Sequence, residues 1–248
     1  MASRKCVAAR RATACTLVAI FALLALVAAA GPAAFAAAGP AAFAAAPMQL
    51  TYRVTHSVFG DIGTYINTIE PTTSGTTVLT RAHFVVKMLG VKLYSEDAER
   101  TEHWRGNRLV SFQGVTSKGN ASIAVRGEAK GDSFVISSPQ GTITAPATVH
   151  PANPWSPNFL DSHTMMRPDT GRIERVSISG GEETTVTING AAVRAHKYEV
   201  DGNTRYTVWL DQQGVPVMFI VNDNSGKVTF TLARCLGCGP AGAQLGMK

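Results

Sequence analysis

The chain has 248 residues, with 23 lysines and arginines against 17 aspartates and glutamates, for a formal charge of +6. Four of the basic residues (Arg4, Lys5, Arg10, Arg11) fall in positions 1–46, which hold no acid, so positions 47–248 carry 19 against 17 and a net +2. No basic stripe is left to neutralise phosphates, which argues against a nucleic-acid partner, and roughly 200 residues suit one domain with a real core.

Positions 1–46 read as an export leader. A short positive start precedes the uncharged run TLVAIFALLALVAAA at 16–30, and small residues follow at Ala34-Phe35-Ala36 and Ala42-Phe43-Ala44. Positive end, short apolar middle and small-residue exit describe a secretory signal. A spanning anchor needs about 20 apolar residues, and Gly31-Pro32 interrupts this run first. The octet GPAAFAAA stands twice, at 31–38 and 39–46, so cleavage falls between about 36 and 46 on the small-residue rule. The reading predicts a signal helix, export to the periplasm or cell exterior, and no membrane span after cleavage. Cys6 and Cys15 leave with the leader. Cys235 and Cys238 remain and, in an oxidising compartment, are expected to pair.

From residue 47 the pattern has period two. Met48, Leu50, Tyr52, Val54, His56 and Val58 alternate with polar residues, which places one apolar face on a strand. Similar runs follow at 62–70, 76–88, 91–104, 108–117, 121–129, 133–138, 172–179, 183–189, 192–200, 203–211, 215–222 and 227–234. Turn pairs such as Gly106-Asn107, Gly119-Asn120, Asn189-Gly190 and Asp201-Gly202 separate them. Hairpins in such a series predict an all-β fold: a single curved antiparallel sheet over 47–234, forming a barrel or half-barrel. Residues 146–171 break the rhythm with five prolines and read as a lid joining two β-halves, 48–145 and 172–234. Ser156 followed by Pro157 predicts one short helix there, with Phe159, Leu160, Met165 and Met166 turned inward. Residues 235–248 read as a loose tail.

Several motifs invite chemistry. Cys235-Leu236-Gly237-Cys238 has redox spacing, but it follows a strand and lacks a thioredoxin-like context, so a tail disulfide is expected. His150, Asp161 and His163 lie in the lid, and a hydrolase centred on His163 and Asp161 is one alternative. Two residues apart they do not face each other on a helix, and no nucleophile elbow or phosphate loop accompanies them. His56, His83, His103 and His196 are scattered over strands without ligand spacing, so no metal and no cofactor is expected. Glu96, Asp97, Glu99, Arg100, Glu102 and Arg105 read as a solvated, ion-paired strand face.

The apolar set is more suggestive. Trp104, Trp155, Phe159 and Trp209, with Met165, Met166 and Met218, can wall a cavity under the lid, and Arg167 can meet an anionic head group. This predicts a non-enzymatic protein that binds a hydrophobic or amphipathic small molecule. The rival is an envelope structural or interaction protein with a filled core.

Phe59-Gly60-Asp61-Ile62-Gly63 follows the first strand. Tyr94, Glu102, Trp104, Gly106, Arg108 and Leu109 come next, with Thr116 before Gly119-Asn120. Val208-Trp209-Leu210-Asp211, Gly214 and Pro216 stand late in the chain. This order resembles exported protein families of unknown function from Gram-negative bacteria, over about 48–234. The resemblance implies a periplasmic domain built on one curved antiparallel sheet, and it transfers no catalytic residue.

Overall fold

The computed structural model describes residues 46–223 and 225–238. The expected signal helix and duplicated octet, and the tail from residue 239, lie outside the described residues.

Eight strands run in series through the first half: β1 (Met48–His56), β2 (Gly60–Thr72), β3 (Gly75–Met88), β4 (Val91–Arg105), β5 (Arg108–Lys118), β6 (Ala121–Lys130), β7 (Ser133–Ser138) and β8 (Gly141–Pro146). After the Pro-rich segment come β12 (Ser177–Ile188), β13 (Ala191–Asp201), β14 (Tyr206–Asp211), β15 (Pro216–Asp223) and β16 (Gly226–Leu236). All thirteen share one sheet in the order β12-β13-β14-β15-β16-β1-β2-β3-β4-β5-β6-β7-β8. The last strand pairs antiparallel with the first, Val54 opposite Phe230 and Leu50 opposite Cys235. Short turns joining consecutive strands make such antiparallel neighbours.

The sheet does not close. Its edges are β8 and β12, so the closed barrel that the sequence reading allowed is not formed. The segment between those edges turns inward instead of bridging them. It forms a small second sheet of β9 (His150–Pro151), β10 (Thr164–Met166) and β11 (Ile173–Arg175). Val149, Phe159, Met165 and Met166 are buried in the same core as Tyr52, Phe112, Phe134 and Val208 of the large sheet. The Pro-rich segment is thus a plug around which the strands wrap. The expected short helix is a 3-10 turn, Pro157–Asp161, with the Ser156 hydroxyl accepting from the Asn158 amide at 3.3 Å.

Three further boundaries differ from the sequence reading. β8 has no counterpart in it, because Gly141-Thr-Ile-Thr-Ala-Pro is short and ends on proline. The runs at 172–179 and 183–189 are expected as two strands, yet β12 is one strand bent at Gly180 and Gly181, whose φ of 107° and 101° only glycine adopts readily. β16 also continues through Leu236, into what reads as tail.

Candidate functional site

Within the curl, strand alternation packs polar groups against the plug. Thr80, Glu102 and Trp104 point inward from β3 and β4, and Asn67 from β2. Each is buried. Asn153 of the plug is their hub. Its carbonyl oxygen accepts from the Tyr65 hydroxyl at 2.9 Å and the Asn67 amide at 3.0 Å. Its own amide donates to Glu102 at 2.9 Å and Thr80 at 3.1 Å. The second oxygen of Glu102 accepts from the indole N–H groups of Trp104 (2.9 Å) and Trp155 (3.1 Å). Burial raises the Glu102 pKa, while these three donors and the charge of Arg100 work against it. The His150 ring lies tilted against Trp104, ring centroids 4.5 Å apart. Burial lowers its pKa to about 4, with the Asp161 charge working the other way.

Beside this network the sheet encloses space. A cavity of about 500 Å³ is lined by apolar groups that include Ile62, Phe84, Val86, Leu93, Val228 and Phe230. Its polar lining includes the buried His56, whose Nε2 lies 3.1 Å from the Ser225 hydroxyl. Phe230 stacks on Phe219 at 4.2 Å and meets Phe84 and Tyr65 edge-on, making an aromatic floor. A second cavity of about 340 Å³ adjoins the first through Phe84, Tyr94, Glu96, Val221 and Phe230.

The second cavity is charged. Arg100, Lys118 and Arg167 line it, with Glu96, Asp169 and Glu174. Lys118 bridges Glu96 at 3.4 Å and Asp169 at 3.3 Å, and Arg167 grips Asp169 with two N–H groups at 3.2 and 3.3 Å. Burial works to raise the Asp169 pKa, but the hydrogen bonds and charges of Arg167 and Lys118 outweigh it and hold the carboxyl below its usual range. The Tyr94 hydroxyl donates to Glu96, and burial together with that carboxylate raises its pKa. Nε of Arg100 is buried with no hydrogen-bond partner. A buried donor left unmatched is uncommon and costly.

This arrangement redistributes the residues singled out from sequence. Arg167 lines the charged cavity. Trp104 and Trp155 line neither of the two cavities: they cap Glu102. Phe159 is core filling at 2% exposure. Trp209 lies half-buried on the face of β14 opposite Tyr206 and Val208. Cys235 and Cys238 are joined, with Cα atoms 5.8 Å apart, and Cys235 is paired with Leu50 of β1.

The run 96–105 is not one solvated face. Asp97 and Glu99 point out, to His83 and Arg81, while Glu96 and Arg100 line the interior and Glu102 is fully buried. The signal was present: these three share parity with Ala98 and Trp104.

His163 and Asp161 are exposed and share no hydrogen bond among the described residues, and the charge of Asp161 acts on His150 instead. Among the described residues no group of three or more His, Cys, Asp or Glu is placed to hold a metal, and no helix is long and apolar enough to cross a membrane.

The architecture has a solved counterpart. A β-barrel-like protein of the domain of unknown function DUF1849 from Brucella abortus superposes with a TM-score of 0.58 at 11% identity, covering 77% of this chain and 97% of that one. No curated protein matches the sequence. Residues 52–233 match the domain of unknown function DUF6134, and the chain belongs to that family.

Proposed function

We propose that this protein is a non-enzymatic, exported binder of an amphipathic molecule. The observation that carries the reading is the pair of adjoining cavities. An apolar chamber of about 500 Å³ opens into a charged chamber where Arg100, Lys118 and Arg167 stand among Glu96, Asp169 and Glu174. Apolar pockets of a few hundred Å³ with a few converging polar groups are the usual form of a ligand site. The chain of an amphiphile replaces water against Val86, Leu93, Val228 and Phe230. An anionic head lies near Arg100, Lys118 and Arg167. This cavity speaks against the rival reading of a structural protein with a filled core. Export is the part of the reading supported by the leader-like segment at 1–46 and by the resemblance to exported families; on that reading the protein acts in the periplasm or outside the cell.

The test is displacement of an environment-sensitive apolar fluorophore by dodecanoate and by dodecyltrimethylammonium, both below their micelle concentrations. Dodecanoate is expected to displace the dye and the cation to compete poorly. Val228→Phe narrows the chamber and is expected to weaken dodecanoate binding about tenfold or more, while the chain still unfolds cooperatively. Equal displacement by both head groups, or binding unchanged in Val228→Phe, overturns the reading.

A further inference from the structure

The hairpin of β3 and β4 outruns its neighbours. β2 stops pairing with β3 at Gly63–Phe84, and β5 stops pairing with β4 at Lys118–Glu96. Beyond those points, apart from the Gly119 amide donating to the Ser95 carbonyl at 3.2 Å, the ladder joins the two strands only to each other, ending at Met88–Val91. At about 3.3 Å per residue this two-stranded finger reaches roughly 13 Å past the sheet.

Its composition is opposite to what water favours. Leu89 is 97% exposed, Val91 61% and Met88 54%. Leu89 also takes φ 50° ahead of Gly90 at 81°, a left-handed position where a branched side chain is disfavoured. Just behind this tip, Lys87 lies directly opposite Lys92, both exposed, and like charges across a strand pair repel. The turn at Asn189-Gly190 has the same φ angles, 50° and 81°. There asparagine donates to the carbonyls of Leu232 and Ala233 at 3.1 and 3.3 Å. The fold gains nothing comparable from Leu89, or from the opposed lysines.

We propose that the finger docks on an anionic lipid bilayer. Met88, Leu89 and Val91 enter the boundary between head groups and acyl chains, and Lys87 and Lys92 meet lipid phosphates. Only the turn enters, so few backbone groups leave water, and the depth suits an interfacial anchor of about 5–10 Å. Lysine stems lie along apolar surface while their ammonium groups stay at the head-group level. A negative leaflet attracts the pair and relieves their mutual repulsion. A protein partner of ordinary affinity needs about 800 Å² a side, whereas this tip is a narrow point ringed by solvent. A bulge between Val86 and Lys87 leaves Leu93 as the extra residue, and Leu93 lines the apolar cavity. Val58, 67% exposed, sits beside Phe59 of the same cavity wall. Docking therefore sets the cavity against the bilayer. The inference goes beyond the binding role and stands without it.

The test uses the full chain with vesicles of phosphatidylglycerol and of phosphatidylcholine. In Leu89→Trp, the new tryptophan is expected to shift to the blue on phosphatidylglycerol and to be quenched by acyl-brominated lipid. Leu89→Asn copies the other turn, so it is expected to stay folded in thermal unfolding, and its partitioning is expected to fall about tenfold. Lys87→Gln with Lys92→Gln is expected to remove the preference for the anionic lipid and its sensitivity to salt. Vesicle binding that leaves the tip tryptophan unshifted overturns the proposal. So does a blue shift without lipid that grows with protein concentration, which assigns the tip to a second copy of the chain.

Discussion

The network around Asn153, at the plug, and the pair of cavities beside it solve opposite problems. In the network each polar group around Asn153 has its partner, Trp104 is 3% exposed and Glu102 is fully buried. On the cavity side a buried nitrogen of Arg100, directly across the strand pair from Thr80, has none, space stays open between aromatic rings, and Leu89 stands in solvent. Native interiors match their polar groups and bury large apolar ones. The network obeys this and needs no reason beyond stability. The cavity side departs from it in several ways at once, and such departures concentrate where a protein meets something else.

Substitutions separate the two regions, and the largest effect belongs to the plug. Asn153→Ala leaves Tyr65, Asn67 and Glu102 without their shared partner. It is expected to destabilise by about 3–5 kcal/mol in urea unfolding, since each stranded buried group costs about 1–3 kcal/mol. A loss under 1 kcal/mol would mean that water replaces the network and the regions are alike.

His150 gives the next effect. Its folded pKa of about 4 lies below the ordinary 6.5. The unfolded chain therefore takes up the proton first, and stability present above pH 6.5 is lost as pH falls toward 4. The full shift corresponds to about 3 kcal/mol. Urea midpoints of wild type and His150→Phe between pH 7 and 4.5 are expected to show a shallower acid loss in the variant. Parallel profiles would contradict burial of a neutral imidazole.

The smallest effect lies on the cavity side, and its sign is reversed. Leu89→Asn relieves the left-handed conformation and is expected to raise stability by about 0.5–1 kcal/mol. Lys92→Glu turns a repelling cross-strand pair into an attracting one and adds about 0.5 kcal/mol. Stabilisation on removing the natural side chain marks a position not chosen for folding.

Much of the fold was legible because period-two alternation and glycine turns act locally. Met48 to Val54 and the Asn189-Gly190 turn needed no distant partner to be read. The pairing of β1 with β16 and the inward turn of the plug depend on contacts across the whole chain, so alternation cannot announce them. The site was legible only in kind. Tryptophans attract attention as cavity walls, yet their N–H groups suit them to cap Glu102, and the wall is made by Phe84, Val86, Leu93 and Val228, ordinary strand residues. The inward carboxylate of Glu102 was concealed because a run of charges reads as solvated, although its parity matches Trp104. Leu89 was unremarkable because exposure at a hairpin tip depends on where the neighbouring strands stop.

Methyl-resolved NMR during titration with dodecanoate tests the division between the regions most directly. The account predicts saturable shifts at Ile62, Val86, Leu93, Val221 and Val228, with Leu109 and Val149 beside the plug unmoved. Shifts centred on Leu109 and Val149, or none at any of these methyls, would contradict it.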